Sequence, residues 1–212
     1  MRPRRDRSLH DRVVWQSASL LLAYPDDGHA VRLHTAADLI GQITGAPAAL
    51  LGETLAALRD AGPMALATQY VDTFDLHKQT TMLLTYWTGG DTRNRGVQMV
   101  AFTQAYWAAG VAPPKHEAPD HLPVVLEFAA TVDPVAGRRL LEGHRVPIDV
   151  LRQALTDAGS PYAPAIAAVC ATLPSVAETQ SRTLLGTGPP RESVGLEPFQ
   201  LTVPPRRAQG GV

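Results

Sequence analysis

The residues best suited to chemistry lie in the middle of the chain. Gly89-Gly90-Asp91-Thr92-Arg93-Asn94-Arg95-Gly96 has the make-up of an anion cradle, a glycine-rich turn aiming free amides and a helix dipole at a phosphate. It lacks the lysine and the preceding strand of a P-loop. The simpler reading is a structural joint between helices, capped by Asp91 or Thr92 and solvated by Arg93 and Arg95. His116, Asp120, His121 and Glu127 are metal-ligand types, but His121 and Glu127 lie six apart and leave a continuous helix on different faces. No metal is expected. Asp75 and His77 form a possible acid/base pair without a nucleophile or oxyanion donor beside them. Cys170 falls on the apolar line of Ile166 and Leu173, which sends its thiol to the core. No set amounts to a catalytic constellation, so an enzyme is not expected. The aromatic group Tyr70, Phe74, Tyr86, Trp87, Tyr106 and Trp107 stands out in a chain that is only 6% aromatic. Core packing accounts for most of these rings. The polar ends of Tyr and Trp also suit the wall of a groove that receives an amphipathic helix.

The elements that must position these residues are helical. Apolar residues recur at Val13, Leu20 or Leu21, and Tyr24, with Ser8 and Asp11 spaced like a capping box and Pro25 to Gly28 as the stop. Leu33, Ala36, Ile40 and Ile43 form a second stripe, and Leu51, Leu55 and Leu58 a third, each ended by Gly and Pro. The pattern continues from Met64 to Phe74 and from Thr80 to Trp87. The helix entered at Asp91 or Thr92 carries Val97, Val100 and Trp107 on one line and Met99, Phe102 and Tyr106 on another, which predicts a central helix. Prolines make 111–119 a hinge loop. Asp120 then stands at an N-cap position with Pro123 in the first turn, followed by Leu122, Leu126, Ala129 and Val132 on one face. Further helical stripes reach Leu173. Period-two alternation is not sustained anywhere, so the expected fold is all-α, a single-domain helical bundle. Its expected organisation is a flexible N-terminus over 1–10, a helical domain over 11–175, and a largely mobile Pro/Gly-rich tail over 176–212.

With 212 residues, 45% hydrophobic and 18% charged, the chain is sized and composed for one globular core. Its 19 basic and 20 acidic residues give no field to gather nucleic acid, and the best recognition-helix candidate, 91–109, has cations only at its start. One cysteine makes no internal disulfide. Arg4-Arg5 is followed by a run broken by Gln16, Ser17 and Ser19, so neither export nor membrane insertion is expected. These features together predict a cytoplasmic protein.

Five strings carry a resemblance: Leu21-Leu-Ala-Tyr-Pro-Asp26, Tyr70-Val-Asp-Thr-Phe-Asp-Leu76, Leu84-Thr-Tyr86, Gly90-Asp-Thr-Arg-Asn-Arg-Gly96, and Pro119-Asp-His-Leu-Pro-Val-Val-Leu-Glu-Phe128. In this order, over Val13 to Ala130, the chain resembles the nitrate reductase molybdenum cofactor assembly chaperones of the NarJ type, within the wider molybdoenzyme chaperone family. The resemblance implies an all-helical chaperone without enzymatic activity. It would bind the apo catalytic (alpha) subunit of respiratory nitrate reductase, chiefly its N-terminus. It would assist insertion of the molybdenum bis-guanine-dinucleotide cofactor before membrane attachment, without holding that cofactor stably or joining the finished enzyme. Molybdenum cofactor biosynthesis proteins are further candidate partners. The alternative within the family is a chaperone for a molybdoenzyme with a twin-arginine signal peptide; the strings around Tyr70 and His121 favour nitrate reductase. The resemblance associates the region after the hinge with partner-peptide recognition. The expected peptide contacts are the charges of Asp72, Asp75, Asp120 and Glu127, the apolar wall of Tyr70, Phe74, Leu122 and Leu126, and His121 and Pro123 of the Pro-Asp-His-Leu-Pro string.

Overall fold

Proline and glycine divide the chain into its helices. The computed structural model describes residues 3–90 and 92–190. Among these, eleven α-helices follow one another: α1 Pro3–Leu22, α2 His29–Ile40, α3 Ala46–Asp60, α4 Pro63–Tyr70, α5 Tyr86–Gly89, α6 Arg93–Ala108, α7 Leu122–Glu127, α8 Pro134–Gly143, α9 Arg145–Asp157, α10 Ala163–Ala171 and α11 Glu178–Thr187. No strand occurs among the described residues; the one extended pairing is an antiparallel bridge between Leu83 and His121. Proline opens α3, α4, α7, α8 and α10, where its missing amide would have had no helical partner. Asp133 caps α8 by accepting from the amides of Val135 and Ala136.

Two helices end in a π turn. α4 passes into Val71–Asp75 and α7 into Phe128–Val132, closed by the Leu76 amide donating to the Val71 carbonyl and the Asp133 amide to that of Phe128, each at 3.1 Å. The widened turn moves later side chains off the face an α-helix would give them.

The central helix is α1, which packs against α2, α3, α7 and α10. Val14, Trp15, Ala18, Leu21 and Leu22 are fully buried on it. Two of its polar side chains tie it to distant segments, the Trp15 indole donating to Thr172 Oγ1 at 2.8 Å and Ser19 Oγ to the Pro123 carbonyl at 2.8 Å, while Ser17 Oγ is buried without a partner. α6, expected at the centre, is peripheral. It buries Phe102 and Tyr106, while Val97 and Val100 face outward and Trp107 is 61% exposed. Apolar residues all round a helix give it no preferred face, so tertiary packing decides which side is covered.

Two boundaries also differ from expectation. α1 runs from Pro3, which places Ser8 inside the helix rather than at its cap. Residues 176–190, assigned to the tail by composition, contain α11, packed against α9. The loop over 111–119 is tethered, because Tyr106 Oη donates to the Pro119 carbonyl at 2.6 Å. Asp91 and residues 191–212 lie outside the described residues, as therefore does the Asp91 part of the expected joint and most of the expected tail. No helix among the described residues is long and apolar enough to cross a membrane.

Candidate functional site

The Pro119–Phe128 string enters the fold beside residues 82–85. The Leu84 amide donates to the Asp120 carbonyl at 3.1 Å and the Leu122 amide to the Met82 carbonyl at 2.9 Å. This pairing buries Asp120 completely. Asp120 Oδ2 accepts from the Thr85 amide at 3.1 Å and from Thr85 Oγ1 at 2.6 Å, and Oδ1 lies 3.4 Å from Arg95 Nη2. Asp120 is therefore neither the expected cap of α7, whose N-cap is His121, nor a rim charge. It is the buried end of a joint that ties α6, through Arg95, to the start of α7. Thr92 caps α6 by accepting from the Asn94 amide, as its position in the glycine-rich string suggested, and Arg93 is exposed on the first turn. Gly89 passes so close to Arg95 that an added Cβ would lie 2.8 Å from the Arg95 Cα. The described residues of the string thus lie at the junction between α5 and α6.

Beside this joint a groove of about 460 Å³ opens, lined by residues of the α1–α2 turn, the α4 π turn and both paired segments. Its floor is aromatic. The Tyr24 and Tyr70 rings meet edge to face at 5.3 Å, Tyr70 and Phe74 lie 4.9 Å apart, and Tyr162 packs beneath at 4.9 Å from Phe74. Tyr70 Oη donates to the Leu22 carbonyl at 3.2 Å, which fixes the ring. Met82 and Leu83 add aliphatic wall, and Asp75, Glu117 and His121 supply the charge. The groove is electronegative. Burial raises the Tyr70 phenol well above its ordinary value, and the carboxylates of Asp75 and Glu117 raise it further. The His121 ring lies largely buried, with Glu117 Oε2 3.1 Å from Nδ1 in ion-pair range but misaligned for a hydrogen bond. Burial holds its pKa below the ordinary histidine value, against the opposing pull of Glu117, Asp120 and Asp75.

The groove gathers Tyr70, Phe74, Asp75 and His121 from the residues expected in the sequence and leaves the others out. Leu122, Pro123 and Leu126, expected as peptide contacts, are buried and pack the core. Asp72 faces a separate cleft of about 390 Å³ shared with Gln69, Thr73 and His77, since the π turn sends it away from Asp75. Glu127 is exposed at the end of α7, outside the groove lining. Sequence reasoning missed Tyr24, Met82, Leu83 and Glu117 as groove residues. Only Glu117 had a local signal, standing four residues before His121. Among the described residues no three His, Cys, Asp or Glu side chains come together to hold a metal. Burial pushes the Cys170 thiol up to about 11, away from reactivity.

Residues 39–168, which contain the groove's π turn, the joint and the Pro119–Phe128 string, match the family described as nitrate reductase delta subunit. The chain belongs to the nitrate reductase delta subunit family. It is 32% identical over 173 residues to the probable nitrate reductase molybdenum cofactor assembly chaperone NarJ of Bacillus subtilis, covering 80% of this chain and 92% of that protein. It is 33% identical over 115 residues to the NarJ chaperone of Escherichia coli K12, covering 53% of this chain and 49% of that protein. It is 60% identical over 160 residues to the nitrate reductase-like protein NarX of Mycobacterium tuberculosis. That match covers 76% of this chain and 24% of the relative, so the chain spans about a quarter of that protein's length. The all-helical architecture expected for the NarJ type is the one this delta-subunit family member has.

Proposed function

We propose that this chain is an assembly chaperone of respiratory nitrate reductase and not an enzyme. It binds the apo catalytic subunit in the cytoplasm, chiefly through that subunit's N-terminal segment. It keeps the subunit competent for insertion of the molybdenum bis-guanine-dinucleotide cofactor before membrane attachment, and leaves the finished enzyme. The cofactor is cargo destined for the partner, and cofactor biosynthesis proteins are further partners.

The observation that carries this reading is the aromatic, acid-rimmed groove within a chain related to chaperones of that name. Tyr24, Tyr70, Phe74, Met82 and Leu83 offer the apolar face of an amphipathic helix a wall, and burial of such surface contributes about 25 cal/mol per Å². Asp75 and Glu117 stand exposed at its edge to pair with cationic side chains. A neighbouring cleft of about 500 Å³ shares Tyr24 and adds the exposed Asp27, beside an Asp26 carboxylate already paired with Arg32 at 2.8 Å. Asp120, Leu122, Pro123 and Leu126 act from beneath, holding His121 and the paired segments in place.

Titration calorimetry with a synthetic peptide of the cognate catalytic subunit's N-terminus tests the reading. Saturable one-to-one binding with a negative heat-capacity change is expected. The double variant Asp75→Asn/Glu117→Gln, at two exposed positions, weakens it about tenfold, whereas Glu127→Gln leaves it unchanged. A folded chain that binds neither this peptide nor the whole apo subunit overturns the proposal.

A further inference from the structure

Tyr86 and Trp87, singled out among the aromatics, belong to neither the groove nor the main core. With Val150 of α9 they form a small separate apolar cluster. Leu83 packs against this cluster and also lines the groove, so the two apolar surfaces form one strip that meets at Leu83. What covers the cluster is the chain's own α11. Ser181, Leu184 and Leu185 stand at i, i+3 and i+4 and share one face of that helix. Leu184 and Leu185 pack on the cluster, and Ser181 Oγ donates to Asp149 Oδ2 at 2.6 Å. The fit is incomplete, because the Trp87 indole N–H is buried without a hydrogen-bond partner. α11 also lies beyond the family match, which ends at residue 168, and is joined to the body by 174–177. Past the helix, the Pro190 carbonyl rests on Gly90 (φ +59°), where any Cβ would collide with it.

We propose that the Tyr86–Trp87–Val150 surface is a second peptide seat. The resting chain fills it with its own α11. An amphipathic helical segment of the client takes it over, presenting a hydroxyl and two aliphatic side chains at the same i, i+3, i+4 spacing. This rests on the groove being the client site: a segment long enough to run along the groove past Leu83 meets α11 and displaces it. A backbone carbonyl offered to the Trp87 indole gives the client a bond that α11 does not make. α11 is then a competitor in cis, lowering the apparent affinity for a client by the fraction of chains in which the seat is free.

The test uses the full chain carrying Leu184→Asp/Leu185→Asp, which undocks α11, and two synthetic peptides. One spans residues 177–190; the other is the catalytic-subunit N-terminal peptide. In the variant the α11 amides are expected to lose hydrogen-exchange protection while the rest of the domain keeps it. The 177–190 peptide binds the variant one-to-one and does not bind the parent chain. The catalytic-subunit peptide binds the variant about tenfold more tightly than the parent. If the variant does not fold, Ser181→Ala is read the same way, with smaller shifts in the same directions. A folded variant that ignores the 177–190 peptide removes the seat, and an unchanged client affinity makes α11 a plain structural helix. A concentration-dependent dimer of the parent chain, seen by light scattering, reassigns the seat to α11 of a second copy and overturns the client proposal. A catalytic-subunit peptide that binds neither chain sinks the chaperone reading and the takeover with it, while binding of the 177–190 peptide still reports the seat on its own.

Discussion

Asp120 and Asp149 are both buried carboxylates met by arginine and a hydroxyl, yet they hold different things. Asp120 takes every side-chain partner from elsewhere in the chain: Thr85, from its amide and hydroxyl, and Arg95 of α6. Asp149 has two arginines on its own helix, Arg152 at 2.8 Å and Arg145 at 3.4 Å, and takes one distant partner, Ser181 of α11. Burial works against the Asp149 charge, but the Arg152 and Ser181 hydrogen bonds prevail and keep its carboxyl below the usual range. A carboxylate neutralised within its own helix can lose its distant partner and remain paired. One whose partners all come from other elements cannot be removed without opening the joint they share. The first is built for a detachable contact, the second for a permanent one.

The sharpest way to break this comparison is Asp120→Ala. It strands Arg95 and the Thr85 amide, and should cost about 3 kcal/mol, read as a lower urea midpoint. A loss under 1 kcal/mol would make the Asp120 node no more than a local contact. Next comes Gly89→Ala, whose methyl meets the Arg95 backbone and should cost about 2 kcal/mol in the same assay, with groove residues among the first to exchange. Ser181→Ala should cost only about 1 kcal/mol, and its signature is local: faster exchange of α11 amides with the global transition nearly unmoved. A global loss equal to that of Asp120→Ala would erase the distinction between the two nodes.

The smallest expected effect is with pH. His121 and His144 are both held below the ordinary histidine value, 6.5, chiefly by burial. Between their folded values and 6.5 the unfolded chain binds more protons, so their contribution is full above 6.5 and falls as pH drops below it. His121→Gln should flatten part of that decline in urea midpoints. It should also reduce the loss of affinity for a cationic peptide in acid, where a protonated ring competes for the exposed carboxylates of Glu117 and Asp75. Identical pH profiles for the variant and the parent chain would remove His121 from both roles.

Much of the fold was legible because helices announce themselves locally. The stops at Pro25–Gly28, Gly45 and Gly62 fall in the connections that follow α1, α2 and α3, although α2 already ends at Ile40 and leaves Ile43 outside it. The stripe Leu51, Leu55 and Leu58 is buried on α3 as its period requires. The site was legible only in part. Tyr70, Phe74 and His121 were visible as strings, but Tyr24 and Met82 join them through packing of distant segments, which no spacing rule reports. Leu122 and Leu126 misled for the opposite reason: an apolar residue in a binding motif reads alike whether it faces a ligand or the core. Asp120 sits where an N-cap belongs, and only its pairing with Thr85 shows that its carboxylate turns inward.

The sequence by itself determined the helical class, most helix boundaries and the strings that place the chain in its family, because propensity, capping and punctuation act over a few residues. Tertiary structure alone decided that α1 rather than α6 lies at the centre, that Asp120 is buried and Asp75 exposed, and that α11 covers Trp87. Those outcomes depend on which of several apolar faces wins a neighbour, and that choice is settled by the total area buried across the whole chain rather than by any one segment.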